Sequence, residues 1–382
     1  MSGGDPAGGG PGQGEARRIA VVRALPGVGD MLCAVPALRA LRAAHPRARV
    51  TLVGLASAAW FVERFSHLVD DLLEVAGVTG LPEVAPDRQA CARFRREAVA
   101  RRFDMALQLH GSGVSSNAVT AMLGAGHQVS AYLPGRWRPP GTVVRYPDDR
   151  HEIDRLLAVV EAAGIAPGGR DVTFPLTAEE RAQAARLVGA PPTGATAKTT
   201  ATATGGSSPP VPPPYACVHP GASRPGNRWS PEGFAAAADR AAATGLAVVL
   251  TGTGAERPVT AEVARRRRGP SLDVTGRTDV AGLAALFAGA RLVVSNDTGA
   301  AHVAAAVGTP SVVVFAPGGD PGRWAPLDGR RHRAVLPERG AWPPVGTVLA
   351  AVDDQLAVDG PAGRAVPARP SPPAPPLPEV LR

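Results

Sequence analysis

Lysine is almost absent from this 382-residue chain: Lys198 stands alone, and the rest of the 41 basic residues are arginine. Set against 33 acidic residues they leave a net charge of +8. Aromatic residues are also scarce, and no basic run is interleaved with them. Surfaces for single-stranded nucleic acid stack bases on aromatics inside a cationic groove, so no nucleic-acid partner is expected. Arginine in excess does suit phosphates and anionic lipid. Only three cysteines occur, Cys33, Cys91 and Cys217, far apart in the chain. That excludes a disulfide framework and a cysteine-based zinc site, and it suits a reducing compartment. No run of about 18 apolar residues exists to span a bilayer. The first sixteen residues hold no apolar core of a secretory signal, so a cytoplasmic protein is expected. Also missing are an Asp-x-Asp pair, a His-Glu-x-x-His helix, a Gly-x-Ser-x-Gly elbow and a Walker lysine loop. Neither a bound metal nor a cofactor is expected.

What the chain does have is apolar material, 45% of its residues. That suffices for two buried cores at roughly 150 residues per domain. Residues 1–16 read as a Gly-rich disordered leader, and an α/β pattern then occupies residues 17–188. Arg18 to Val22 is a β-branched run and reads as a buried strand, followed by a turn over residues 25–30. Met31, Leu32, Val35, Leu38 and Leu41 then recur at helical spacing until His45-Pro46, and residues 50–53 form the next strand. Such a βαβ unit implies a parallel sheet. A further strand covers residues 105–109, ending at His110-Gly111-Ser112-Gly113, and a further helix covers 152–163. Residues 189–214 are almost wholly Ala, Thr, Gly, Ser and Pro and read as a linker. A second α/β unit spans 215–358, with strands at 215–218, 247–250, 292–294 and 311–315 and helices at 234–243 and 280–288. Residues 359–382 read as a Pro-rich disordered tail. Two doubly wound halves leave a cleft, and in such sheets ligands bind beyond the carboxyl ends of the strands.

The polar loops that follow these strands carry the candidate chemistry. In Gly27-Val28-Gly29-Asp30 the glycines allow close backbone approach, and the next helix offers N–H groups to an anion. Asp30 is a helix N-cap, or a general base that takes a proton from a hydroxyl nucleophile, and the roles do not exclude each other. The dinucleotide fingerprint G-x-G-x-x-G fails, because Leu32 occupies the third glycine position and no acidic residue follows Val53 to hold a ribose. A nicotinamide dehydrogenase is thereby disfavoured. Asp297-Thr298-Gly299-Ala300-Ala301-His302 leads from a strand into an Ala-rich helix that Asp297 and Thr298 can cap. A phosphate there would meet N–H groups, a hydroxyl and an imidazole; the alternative is a plain cap beside a partly buried histidine. The loop from Ser223 to Trp229 carries Arg224 and Arg228, suited to phosphate or merely solvated. Glu256 suits the paired hydroxyls of a ribose, or is a surface Glu that starts a helix. Arg265-Arg266-Arg267-Arg268 reads as a solvated helix C-terminus, and leaves room for peripheral contact with the inner membrane surface.

Taken together, these loops resemble those of glycosyltransferase family 9, the bacterial ADP-heptose:lipopolysaccharide heptosyltransferases. The resemblance runs over about residues 17–355. It is carried by Gly29-Asp30 with Pro36-Ala37-Leu38-Arg39, Leu109-His110-Gly111-Ser112, and His219-Pro220-Gly221-Ala222-Ser223 through Arg228-Trp229. Asn296-Asp297-Thr298-Gly299 with His302, Gly308-Thr309-Pro310 and Phe315-Ala316-Pro317 complete it. It implies a GT-B fold, two Rossmann-like doubly wound domains facing across a cleft, the first for the acceptor and the second for the nucleotide sugar. It also implies an inverting, metal-independent transferase with ADP-heptose as donor and a lipopolysaccharide-core-like glycolipid or another glycan as acceptor. Carried over residue by residue, Asp30 is the base, while Ser223, Thr298, Gly299 and His302 line the diphosphate. Glu256 holds the ribose, and Asp297 lies by the donor sugar. The family usually has a Lys two residues before the Trp; here that place is Asn227, which leaves Arg228 or Arg224 to supply the charge.

The chemistry is coherent by itself. Glycosyl transfer needs a weak base for the hydroxyl and charge stabilisation for a departing diphosphate, which helix N-termini and cationic side chains provide. Two other readings use the same residues, a GT-B sugar-nucleotide epimerase and a catalytically silent sugar-nucleotide-binding protein. Retention of Asp30 speaks against the silent protein. The composition of residues 189–214 cannot fill a core, and loop-closure entropy changes slowly with length. Replacing that segment by a few Gly and Ser should therefore move the melting temperature by less than about 5 °C. A larger drop in a calorimetric scan would show that the segment packs.

Overall fold

The computed structural model describes residues 16–189 and 212–358. The proposed leader (save Ala16), the body of the linker and the tail lie outside the described residues. Among the described residues, twelve strands form two six-stranded parallel sheets. The first contains β1 (Arg18–Val22), β2 (Arg49–Gly54), β3 (Asp71–Glu74), β4 (Met105–Gln108), β5 (His127–Tyr132) and β6 (Thr142–Arg145). Their order is β3-β2-β1-β4-β5-β6. The second contains β7 (Tyr215–His219), β8 (Ala247–Leu250), β9 (Leu272–Asp273), β10 (Leu292–Asn296), β11 (Ser311–Val314) and β12 (His332–Val335). They are ordered β12-β11-β10-β7-β8-β9. Each unit is the doubly wound arrangement in which the strand order reverses beside the first strand. The reversal falls between β1 and β4 in one unit and between β7 and β10 in the other.

Burial on both faces explains why the central strands are legible. Every residue of β7, β10 and β11 is buried, giving continuous apolar runs rather than alternation. The peripheral strands β3, β6 and β9 are short and only partly covered, so their patterns are weak. In the first unit Ala20, Val22, Val53, Phe94, Phe103 and Val119 share one core cluster. In the second, Trp229, Phe234, Leu250, Val294, Val312 and Val348 do so.

Three expectations are corrected. The single helix expected after β1 is two, Val28–Cys33 and Val35–Ala44. Pro36 has no N–H and its ring collides with the carbonyl four residues back, so the first helix cannot run through it. Pro36 is instead accepted at the start of the second. The first unit runs to Arg170, not to residue 188, and Gly27–Leu32 within that span belongs to the second. The helix Ala178–Gly189 packs on Val280–Gly289 and so belongs to the second unit. Finally, the arginine run is not simply solvated. Arg265 pairs with Glu262, Arg266 with Glu232, and the buried Arg267 with Asp239 at 3.2 Å. All three cysteines are free thiols. Among the described residues no helix is long and apolar enough to cross a membrane.

The first unit buries a charge pair at the end of β1. Arg23 is fully buried and meets the equally buried Glu152 at 3.3 Å, while also donating to the Leu109 carbonyl. One residue on, the Ala24 N–H donates to His110 Nδ1 at 3.1 Å. That bond requires an unprotonated Nδ1. Burial, and then the Arg23 charge, push His110 down to about 4, against the opposing pull of Glu152. Glu152→Gln leaves the Arg23 guanidinium buried without its counter-charge, and should cost about 3–5 kcal/mol in urea unfolding. A loss below about 1 kcal/mol would match an exposed pair, not a buried one.

Candidate active site

In the second unit, the two loops that leave the sheet at the reversal point are tied by one buried amide. Asn296 ends β10. Its Oδ1 accepts the Trp229 N–H at 2.9 Å, and its Nδ2 donates to the carbonyls of Pro220 and Gly221 at 2.9 and 3.2 Å. The loop after β7 therefore lies beside the loop after β10. Trp229 is held further by Phe234, edge to face with ring centroids 5.2 Å apart. Ser223 and Asn227 are exposed at the tip of this loop, and Arg228 is half-buried at its base. The Arg228 Nε donates to the Ala222 carbonyl at 2.9 Å. This closes the loop on itself and leaves the terminal guanidinium N–H groups for an anion.

After β10, Asp297 and Thr298 precede the helix Gly299–Val307. Thr298 occupies the N-cap position, but its side chain makes no cap hydrogen bond. The Thr298 side-chain cap is thus absent. The first N–H groups of this helix have no partner within it and carry its positive dipole end. His302 sits one turn in, its ring edge-on to Trp324 at 6.0 Å.

Gly27–Leu32 is compact with the second unit rather than with the strand it follows. A Cβ on Gly29 would collide with Cδ2 of His302, and one on Gly299 would stand 3.2 Å from Val28 Cβ. Backbone thus meets backbone where the glycines lie. Asp30 is in the first turn of the helix Val28–Cys33 and is not its cap. Gly27 precedes that helix, and its carbonyl accepts the Met31 N–H at 3.1 Å. The Asp30 carboxylate leans back over Gly27, filling the space of a side chain.

Glu256 departs from the surface reading. It is buried, and its Oε2 accepts from both the N–H and the hydroxyl of Thr253 at 2.7 and 2.9 Å, a capping box. Its carboxylate fills the space above Gly221, and the His219 Nε2 approaches Oε2 at 3.9 Å. Burial pushes His219 below its ordinary range, with Glu256 pulling the other way. The His219 Nδ1 lies 3.1 Å from the Thr251 hydroxyl. Glu256 is thus fixed between the ends of β7 and β8.

The second unit therefore brings together Ser223, Arg228, Glu256, Asp297, Thr298, Gly299 and His302 beyond the carboxyl ends of β7, β8 and β10, with the Asp30 segment against Gly299 and His302. Asn296 and His219, which position these groups, were not singled out as such in the sequence. A buried Asn between two polar loops at a reversal point is the signal that could have found the first.

A family model described as glycosyltransferase family 9 (heptosyltransferase) matches residues 91–346. The glycosyl transferase family 9 structure from Veillonella parvula DSM 2008 is similar at 21% identity and a TM-score of 0.70, covering 89% of this chain and 97% of that one. The E. coli ADP-heptose lipopolysaccharide heptosyltransferase II is similar at 18% identity and 0.66, covering 89% and 98%. E. coli heptosyltransferase WaaC with ADP-2-deoxy-2-fluoro heptose is similar at 19% identity and 0.60, covering 88% and 98%. No curated protein sequence matches significantly. At these identities the structures establish the fold, which is GT-B.

Burial first, and then the exposed Asp320 carboxylate, push Asp297 up to about 6. The folded chain disfavours its ionised form, so stability is highest below the unfolded carboxylate value and falls as pH rises through about 4 to 6. Asp297→Asn removes that penalty. The variant should gain on the parent by on the order of 2 kcal/mol between about pH 4 and pH 7. Urea unfolding at the two pH values measures the difference, and a constant gap would show that Asp297 titrates normally.

Proposed function

Because the chain belongs to glycosyltransferase family 9, it is a glycosyltransferase, and we propose that it moves heptose from ADP-heptose to a hydroxyl of a lipopolysaccharide-core-like glycolipid or another glycan. In this reading the reaction inverts the anomeric centre and uses no metal ion. One observation carries it: a carboxylate, Asp30, rides on a segment packed against the N-terminus of Gly299–Val307, where Thr298 makes no side-chain cap. A proton acceptor and an anion site thereby share one unit.

The acceptor oxygen attacks the anomeric carbon as the bond to the diphosphate breaks, and the electron pair leaves with the phosphate oxygen. Asp30 takes the hydroxyl proton. The helix N–H groups at Gly299, the Thr298 hydroxyl, His302 and Ser223 receive the diphosphate charge. Arg228 adds the cation that the neutral Asn227 does not, and its anchored Nε holds it in place. Glu256 accepts from the ribose hydroxyls through an oxygen of its fixed carboxylate, and Asp297 accepts from a hydroxyl of the donor sugar. The likeness to a solved heptosyltransferase with an ADP-heptose analogue supports the choice of donor. The protein works in the cytoplasm, where nucleotide sugars are made, with its acceptor at the inner membrane surface.

Asp30→Asn keeps the shape of the side chain and loses the proton acceptor. Transfer, or failing an acceptor the slow hydrolysis of ADP-heptose, should fall by about 10²–10⁴. ADP affinity by calorimetry and the melting temperature should stay those of the parent. Turnover within about threefold of the parent at saturating donor lies short of the general-base range and would reassign the base.

A further inference from the structure

His219 ends β7 and is buried, yet the proposed chemistry leaves its ring without a task. Val218 pairs with Leu250 in the ladder of β7 and β8, so His219 and Thr251 stand on the next rung. The imidazole lies between two groups. Its Nδ1 is 3.1 Å from the Thr251 hydroxyl, and its Nε2 is 3.9 Å from Glu256 Oε2. The hydroxyl decides which nitrogen carries the proton. It has two acceptors in reach, Nδ1 and, at 3.4 Å, the Val218 carbonyl, which the Thr251 N–H already serves at 2.9 Å. The hydroxyl proton therefore goes to Nδ1, and Nε2 bears the hydrogen. The other tautomer would turn a bare lone pair toward a carboxylate. Burial outweighs the pull of Glu256 and holds the ring below its ordinary range, hence neutral at pH 7. At 3.9 Å the approach to Glu256 is an N–H dipole facing a charge rather than a hydrogen bond.

These contacts divide the Glu256 carboxylate. Oε2 accepts from the Thr253 N–H and hydroxyl and faces the His219 N–H. Oε1 has no hydrogen bond among the described residues and is not sealed from solvent. Among the same residues His219 is the one basic group in ion-pair range of Glu256. An arginine in that place would grip both oxygens in bidentate fashion and leave neither for a ligand. A single N–H aimed at one oxygen supports the negative charge and leaves the other oxygen open. We propose that His219 is a positioning residue: it keeps Glu256 ionised and turned with Oε1 toward the ribose hydroxyls of the donor, and so sets the preference for a ribonucleotide over a deoxyribonucleotide. This rests on the reading in which Glu256 holds the ribose. The competing account confines His219 to tying β7 to β8 through Thr251, and the two accounts predict different outcomes.

Calorimetric titration of the whole protein with ADP and with 2′-deoxy-ADP provides the test. The parent should prefer ADP by about tenfold or more, the scale of one hydrogen bond to a charged group, and Glu256→Gln should reduce that preference to near unity. His219→Leu removes the N–H at similar bulk, and His219→Asn reaches only toward Thr251. Both should shrink the preference by about tenfold, by weakening ADP while 2′-deoxy-ADP binds as to the parent. His219→Gln carries an amide N–H to the place of Nε2 and should keep the preference within about threefold of the parent. Should His219→Leu fail to fold, the Asn and Gln variants decide between the accounts. A preference retained in His219→Leu or His219→Asn, beside its loss in Glu256→Gln, overturns the proposal and leaves the ribose reading standing. Equal weakening of both nucleotides, with a lowered melting temperature, assigns His219 to the fold and overturns it as well. A parent that binds the two nucleotides alike removes the ribose reading and the proposal together.

Discussion

A parallel sheet covered by helices on both faces buries its side chains, so polar groups that act on a ligand must sit where the strands end. Both units obey this constraint. Their doubly wound order also opens a gap between β1 and β4 and between β7 and β10, where neighbouring connections leave in opposite directions. The loops with Ser223 and Asp297 flank the second of these reversals. The loop toward Asp30 and the His110 loop flank the first.

Loops packed this closely carry backbone groups away from water, and each needs a partner. Asn296 meets that need in the second unit with one amide that serves three backbone groups. In the first unit the need is met by charge, with Arg23 on the Leu109 carbonyl and on Glu152. A neutral His110 takes the Ala24 N–H beside it. The two solutions differ in kind. The amide stays satisfied at any pH, whereas the bond to Ala24 needs an unprotonated His110.

Glycine gives these loops their second property. Asp30 leans over Gly27 and Glu256 over Gly221, each carboxylate filling the space of the missing side chain. The same economy brings Gly29 against His302 and Gly299 against Val28. Carboxylates and helix N-termini thus come close without a larger side chain between them. Asp297 shows the opposite pressure, since burial and a second carboxylate raise its proton affinity where an anionic ligand would raise it further.

The amino-acid sequence by itself determined the class of fold. Central strands such as β1, β8 and β11 are apolar runs of β-branched residues, and local composition suffices to recognise them. Glycine, proline and polar residues mark where those strands end, and so the places of Asp30, Ser223, Thr298 and His302 could be named in advance. Tertiary structure alone decided the rest. The allegiance of residues 171–189 and of Gly27–Leu32 to the second unit follows from what those segments touch. Glu256 looked like a surface residue because nothing in its neighbourhood along the chain predicts that Gly221, some distance before it, leaves room for its carboxylate. The partnering of Arg23 with Glu152 spans 129 positions. Periodicity reports which face a residue turns to the core, but not which distant group shares its burial. The energy of a buried charge or amide depends on that distant group, and only the folded chain supplies it.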